Sequence, residues 1–362
     1  MKHWLFILLL LSAFAAAAFE ITGDGSPVDF TRVGFSARFW GMGRAGVALA
    51  DDSGALLLNP ASMAMANSFE FSGTNTRILG VTNYSLLNGV LPFYDNRLLL
   101  GFSLIYENAG AIYETNGLDQ YGHPLKGGTI ENNNIVASLG FGSKFSVLNS
   151  SYENLYLGLL LKNHRRVLGD LTSSGTALDF GGVYRCSDHV SLGLAARNVL
   201  QSGISYSTAE QSSSEHYDSE YTAGLALSLL NNNLTLSLDR TFNAKYGRSN
   251  IGLEYWLANM VALRSGLAEK DMTLGVGFRY AVLQLDVGYR YQDAPLENQF
   301  YFSLTYGDAH RIFLTAPTEI EIIENPQEEK PRSPLPAPNN PVEQSGRSYY
   351  NNGRDRPEEI RL

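Results

Sequence analysis

Three glycines, Gly41, Gly43 and Gly46, reproduce the spacing G-x-G-x-x-G. In a dinucleotide fold this spacing lets a tight turn and a helix N-terminus cradle a pyrophosphate. Here the surroundings argue against that chemistry. Thr31 to Trp40 is no continuous apolar strand, the acids Asp51 and Asp52 follow closely, and no βαβ alternation comes after. The glycines suit a turn-rich segment whose backbone approaches a wall. Nucleophilic chemistry fares no better. Ser187-Asp188-His189 has the residue types of a triad, but neighbours on a strand point to opposite faces and cannot converge. His123, His164, His189, His216 and His310 are scattered, and no H-E-x-x-H, C-x-x-C or G-x-S-x-G occurs. No enzyme, metal or cofactor is expected. The remaining charges of interest are Arg197, Asp239, Glu254, Arg264, Arg279, Asp286 and Arg290, all on the polar side of otherwise apolar strands. An unpaired buried charge costs several kcal/mol. These groups are therefore expected to pair with one another and pin a plug, or else to line a substrate path.

The elements that carry them have a period of two from about Ser68 to Tyr306. Leu98, Leu100, Phe102, Leu104 and Tyr106 share one face, as do Leu274, Val276, Phe278 and Tyr280, and Phe300, Phe302, Leu304 and Tyr306. The opposite faces carry glycine, serine and charges of both signs. A sandwich would bury the apolar face, whereas a membrane barrel would turn it to lipid and fill its lumen with the polar face. Three features favour the barrel. The strands run to about ten residues, enough for a tilted crossing. Tyr106, Tyr184, Tyr255, Tyr280, Tyr291 and Tyr306 fall near strand ends, as interfacial girdles do. Connections alternate, with Ala281 nearly bridging two strands while Ala109–Ile130 and Gln201–His216 are long and polar. The fold class expected is all-β, a single antiparallel transmembrane barrel of about fourteen strands. Their boundaries fall near 68–78, 81–92, 96–109, 131–146, 153–165, 174–187, 188–199, 216–230, 232–242, 248–257, 258–268, 270–281, 282–293 and 297–307.

The ends differ in character. A short basic start, an apolar run from Trp4 to Phe14 and Ala16-Ala17-Ala18 mark residues 1–18 as a signal peptide, with the mature chain starting at Phe19. The single cysteine, Cys186, is far from that site, which excludes lipid anchoring there and any internal disulfide. Residues 19–66 are expected to form an N-terminal hatch, 67–307 the barrel, and 308–362 a disordered periplasmic tail. Eight of the 13 prolines lie between Pro317 and Pro357, which is why the tail is read as unstructured. Within it, the alternation of Ile320 and Ile322 with glutamates leaves a short edge-adding strand open around 311–323. A net charge of −9 without a basic cluster excludes a general nucleic-acid partner.

In the hatch, Asp51, Asp52 and Ser53 are good N-cap residues for a short helix through Leu58, which Pro60 ends. The block Ser36-Ala37-Arg38, Gly41-Met42-Gly43, Ala45, Ala48, Ala50-Asp51-Asp52, Ala55 and Asn59-Pro60-Ala61 resembles the hatch of FadL-like outer-membrane barrels, and more closely that of the PorV/PorQ group. TALDFGGVYR (176–185), LGLAARNVLQSGISY (192–206) and NIGLEYWLANMVALRSGL (250–267) are similar to the same group. Arg44 departs from it, standing where a small residue is usual. The resemblance implies a bacterial outer-membrane location, surrounding lipid, and a hatch held through Ser36, Arg38, Gly41, Gly43, Asp51, Asp52, Asn59 and Pro60. It further implies service in type IX protein export by binding cargo or secretion-machine proteins. The FadL side implies the alternative, a transporter of small hydrophobic ligands touched by Val47, Leu49, Leu56, Leu57, Leu58, Met63 and Met65.

Overall fold

The computed structural model describes residues 29–307, apart from position 67 and the stretches 94–96, 111, 149–152, 208–211, 244–246 and 293–297. The expected signal peptide, the start of the hatch, His310, and the tail with its open strand at 311–323 lie outside the described residues. Everything described belongs to the first of two compact units, which ends at Thr315.

Alternating apolar and small or polar side chains produce the strands β1 (Glu70–Ile78), β2 (Thr82–Phe93), β3 (Leu98–Asn108), β4 (Ile112–Leu118), β5 (Pro124–Ile130), β6 (Asn132–Phe145), β7 (Leu155–Leu168), β8 (Leu171–Ser187) and β9 (Val190–Gln201). They continue as β10 (Ile204–Ser207), β11 (Ser212–Glu215), β12 (Glu220–Leu229), β13 (Leu234–Phe242), β14 (Gly247–Leu257), β15 (Val261–Ala268), β16 (Asp271–Tyr280), β17 (Leu283–Arg290) and β18 (Gln299–Gly307). Setting aside the hairpins β4–β5 and β10–β11, fourteen strands pair antiparallel in one circuit. β18 closes onto β1 with Phe71 opposite Tyr306 and Asn75 opposite Phe302. The expected barrel and strand count are therefore present, with every strand in its expected place.

Burial decides between barrel and sandwich. Leu274, Val276 and Phe278 of β16 are about half exposed on the outside, beside Leu285 and Val287 of β17 and Phe302 and Leu304 of β18. Charged Lys162, Asp179, Asp239, Glu254, Arg264 and Asp286 are buried inside. Apolar outside and charged inside is the inverse of a water-soluble fold and the arrangement a bilayer requires. Connections after β1, β3, β7, β9, β13, β15 and β17 lie at one end, which holds both long segments. Long loops mark the outer face of such barrels. Both segments were expected as loops, and both contain a hairpin: β4–β5 stands apart as its own sheet, whereas β10–β11 extends β8. Their strands are short or lack a strict apolar–polar alternation, so periodicity did not reveal them.

Candidate functional site

The lumen contains the hatch. From Asp29 the chain makes a 3-10 turn at Phe30–Val33, a helix α1 at Ala37–Gly41, a second 3-10 turn at Ser53–Ala55, and a helix α2 at Ser62–Met65 before entering β1. None is long enough to be stable by itself in water. The wall stabilises them. Phe35, Phe39, Trp40, Met42, Leu56, Leu57 and Met63 are all buried. One expectation is corrected here. The capped helix over Asp51–Leu58 is only a three-residue turn, and Asp52 makes no side-chain cap bond. Its carboxylate is committed to Arg38 instead. Asn59-Pro60-Ala61 leads into α2, which precedes β1. The G-x-G-x-x-G spacing places Gly41 at the end of a helix, whereas a phosphate loop would open one.

The hatch glycines meet wall glycines. Gly41 lies so near Gly275 that a Cβ on it would fall 2.8 Å from the Gly275 Cα. Gly43 adopts φ +62°, which glycine tolerates without strain, and its amide faces Gly266. Around the circumference, Gly288 faces the Ala37 carbonyl, Gly252 that of Met42, Gly193 that of Val47, Gly158 that of Pro60, and Gly142 the Ala64 amide. Where the wall lacks glycine it bonds the hatch. Ser303 Oγ accepts from Ala37 N at 2.6 Å, and Tyr84 donates to the Phe30 carbonyl at 3.1 Å. Glu70 accepts from Ser53 N. Asp239 Oδ2 accepts from the amides of Gly46 (2.7 Å) and Val47 (3.0 Å). Asp239 was expected in an ion pair, and its carboxylate instead caps two hatch amides. Asn59 Nδ2 donates to the carbonyls of Val47 (2.7 Å) and Gly182 (3.2 Å), while its Oδ1 accepts from Ala61 N. Ser36 supplies the N-cap residue of α1 without a side-chain bond.

Charges fix the hatch at two depths. In the inner half, all five N–H donors of Arg38 are used. Nε and Nη2 reach Glu254 at 2.9 and 3.0 Å, Nη1 reaches Asp51 and Asp52 at 2.6 Å each, and Nη2 also reaches Asp51 at 3.3 Å. Burial alone would lower the Arg38 pKa, but Asp51 and Asp52 outweigh it and hold the guanidinium above its ordinary value. Burial pushes Asp52 up, against the pull of Arg38. Arg264 joins Glu254 (2.6 Å) to Asp286 (2.8 Å). Arg279 lies 4.3 Å over the Trp256 ring and donates to Gln284, which donates in turn to Asp286. Five of the seven expected lumen charges thus meet the hatch backbone (Asp239) or the inner ion network (Glu254, Arg264, Arg279, Asp286).

Arg197 and Arg290 belong to the outer half. Arg290 bonds Asp271 and lies 5.5 Å over Trp40, which stacks on Tyr301 at 4.3 Å. Arg197, Arg248 and the hatch residue Arg32 all converge on Glu220. Beside them, Lys162 Nζ sits 2.8 Å from Asp179 and 2.7 Å from Asn198 Oδ1, and Asn198 Nδ2 donates to Asp29 at 2.8 Å. Lys162 and His164 contribute to holding the Asp29 carboxyl well below the usual range despite its burial. Lys162, Asn198, Glu220, Arg248, Asp29 and Arg32 were absent from the expected site. Lys162 had a signal, since it alternates with Leu159, Leu161 and their outward row. Asn198 had none: it sits with φ +55° in an irregularity where β8 and β9 slip register between Leu178 and Phe180.

This architecture has known counterparts. The toluene transporter TodX of Pseudomonas putida is similar at 12% identity and TM-score 0.53, with 76% of this chain and 99% of that one covered. The CymD monoaromatic hydrocarbon channel is similar at 14% identity and TM-score 0.53, covering 78% and 100%. The Ralstonia pickettii toluene transporter TbuX is similar at 12% identity and TM-score 0.51, covering 76% and 98%. These likenesses establish a shared fold. No curated protein matches the sequence. The sequence pattern of the type IX secretion system membrane protein PorP/SprF family does match, over residues 54–315, which takes in the last part of the hatch and the whole barrel. The chain lies in the bacterial outer membrane and belongs to the PorP/SprF family.

Proposed function

We propose that this barrel serves type IX protein export as a sealed, partner-binding component of the outer membrane. The seal carries the reading. Hatch backbone lies against wall glycines around the circumference and is bonded through Glu70, Tyr84, Asp239 and Ser303 where glycine is missing. A through-pore would first have to break these contacts. Binding then falls to the outer end, where the β4–β5 hairpin exposes Tyr113, Leu118, Tyr121 and Leu125. Exposed apolar and aromatic groups of this kind mark protein interaction surfaces. The PorV/PorQ-like hatch motif points to the same export role, with cargo or secretion-machine proteins as partners. The role is non-enzymatic and needs no cofactor. A deletion strain should lose secreted proteins from the medium while its uptake of hydrophobic compounds stays unchanged. Normal secretion in that strain would refute the proposal.

One observation favours a second reading, a FadL-type transporter of small hydrophobic molecules. The β8–β9 register break lies beside an apolar groove of about 520 Å³ on the lipid-facing wall, lined by Leu157, Phe180, Leu194, Ala196, Tyr221 and Phe242. Such a groove suits sideways exit into the bilayer, and the fold is that of aromatic-hydrocarbon transporters. Val47, Leu49, Leu56, Leu57, Leu58, Met63 and Met65 are all buried, so a ligand would reach them only after hatch movement. Reduced toluene uptake with intact secretion in the deletion strain would select this reading.

A further inference from the structure

Arg44 carries a buried hatch charge that forms no ion pair among the described residues. The residue is 8% exposed. Its guanidinium lies 5.3 Å from the Phe35 ring and 5.2 Å from the Trp40 ring, and Nη2 donates to the Arg32 carbonyl at 3.2 Å. Nε is buried without an acceptor. Among the described residues no carboxylate forms an ion pair with it; the nearby acids Glu220 and Glu269 pair with Arg32, Arg197 and Arg248. Burial and the neighbouring Arg248 pull its pKa down to about 9, so the group remains charged at neutral pH in unfavourable surroundings. Arg197, Arg248 and Glu220 lie at the outer ends of β9, β14 and β12, and the Arg32 side chain is 30% exposed there.

We propose that the outer mouth of the lumen binds a phosphate-type oxyanion on Arg44, with Arg32 and Arg248 beside it. Arg44 brings an Nε without an acceptor, and Arg248 of the wall is a neighbouring charge; an anion with several acceptor oxygens can meet both guanidiniums, whereas a planar carboxylate engages one fork. The backbone supplies a clean test. Arg44 sits at φ +65°, a conformation costly for arginine and free for glycine. Arg44→Gly should therefore fold at least as well as the parent while losing the site. The probe is inorganic phosphate, titrated calorimetrically into the full-length barrel in detergent against chloride at matched ionic strength. Saturable binding is expected, weakened roughly ten- to hundredfold in Arg44→Gly. Native mass spectrometry of barrel extracted with its own lipids separates the sources: an adduct of lipid mass that phosphate displaces identifies a headgroup, and an adduct of phosphate mass identifies the free ion. Equal binding by parent and Arg44→Gly, or neither phosphate nor lipid bound, overturns the proposal. The inference is independent of the export reading.

Discussion

Arg38→Ala is the sharpest test of how the hatch is held. The substitution removes five hydrogen bonds and one of the two guanidiniums that bridge Asp51, Asp52, Glu254 and Asp286. Arg264 is then the one bridging guanidinium left to these four carboxylates, with Arg279 linked to them only through Gln284. Breaking a buried ion pair from one side costs about 3–5 kcal/mol, because the remaining charge stays desolvated. At about 1.4 kcal/mol per decade, the seated hatch should lose roughly two to three and a half orders of magnitude in its equilibrium against displaced states. The barrel wall keeps its ladder and should stay folded. In planar bilayers the parent is expected to be silent and Arg38→Ala to conduct in bursts. Limited proteolysis should cut the hatch of the variant first. Neutralising the acids together (Arg38→Met with Asp51→Asn, Asp52→Asn and Glu254→Gln) should restore much of the seal, since no orphaned charge remains. If Arg38→Ala forms a heat-modifiable barrel as silent and protease-resistant as the parent, charge pairing does not hold the hatch.

Other perturbations separate the contributions. Gly193→Leu drives a side chain into the Val47 carbonyl and should cost about 1–3 kcal/mol of overpacking, read as a lower unfolding temperature and faster cutting of the hatch. Lys162→Met leaves Asp29 and Asp179 facing each other and should destabilise the outer half by about 3–5 kcal/mol, measured by urea unfolding in lipid vesicles. Acid should act through Asp29. Its carboxyl titrates lower in the folded chain than its ordinary 3.8, so its stabilisation is complete above that value and declines as pH falls below it. Asp29→Asn should flatten that acid limb in a pH series of hatch proteolysis. Replacing residues 112–130 with a short Gly-Ser linker should leave barrel stability unchanged and abolish secretion if the β4–β5 hairpin binds partners.

Much of this fold was legible because a bilayer imposes a simple code. Rows such as Leu274, Val276 and Phe278 must face lipid, so every barrel strand announced itself by alternation. Boundaries slipped where the code weakens. β8 begins at Leu171 where 174 was expected, and β12 begins at Glu220 where 216 was expected, both at the outer end, where strands leave the apolar layer. The hatch was legible as a motif but not as a shape. Arg38 finds Glu254 across 216 positions of sequence, so local rules assigned Asp51 and Asp52 to a helix cap when a distant strand had already fixed their partner. Lys162 was readable from alternation, whereas the Asn198 irregularity depends on register between strands and leaves no local trace.

The placement of charge follows from the same constraint. Lipid claims the apolar face of every strand, so hydrophobicity cannot tell the hatch where to sit in the lumen. Glycine supplies proximity, since a wall without Cβ atoms admits backbone but does not specify which backbone. Specificity must then come from directional groups, and those at the contact are directional: the Arg38 fork between Glu254 and Asp51–Asp52, the Asp239 carboxylate on two successive amides, and the Asn59 amide spanning Val47 and Gly182. Each ties a hatch position to a particular strand, β14, β13 or β8. A hatch rotated within the lumen would keep its apolar burial yet leave several buried charges unpaired, a penalty of several kcal/mol each. These directional bonds therefore tie the plug to one register against the wall, and a path through the lumen would have to break them.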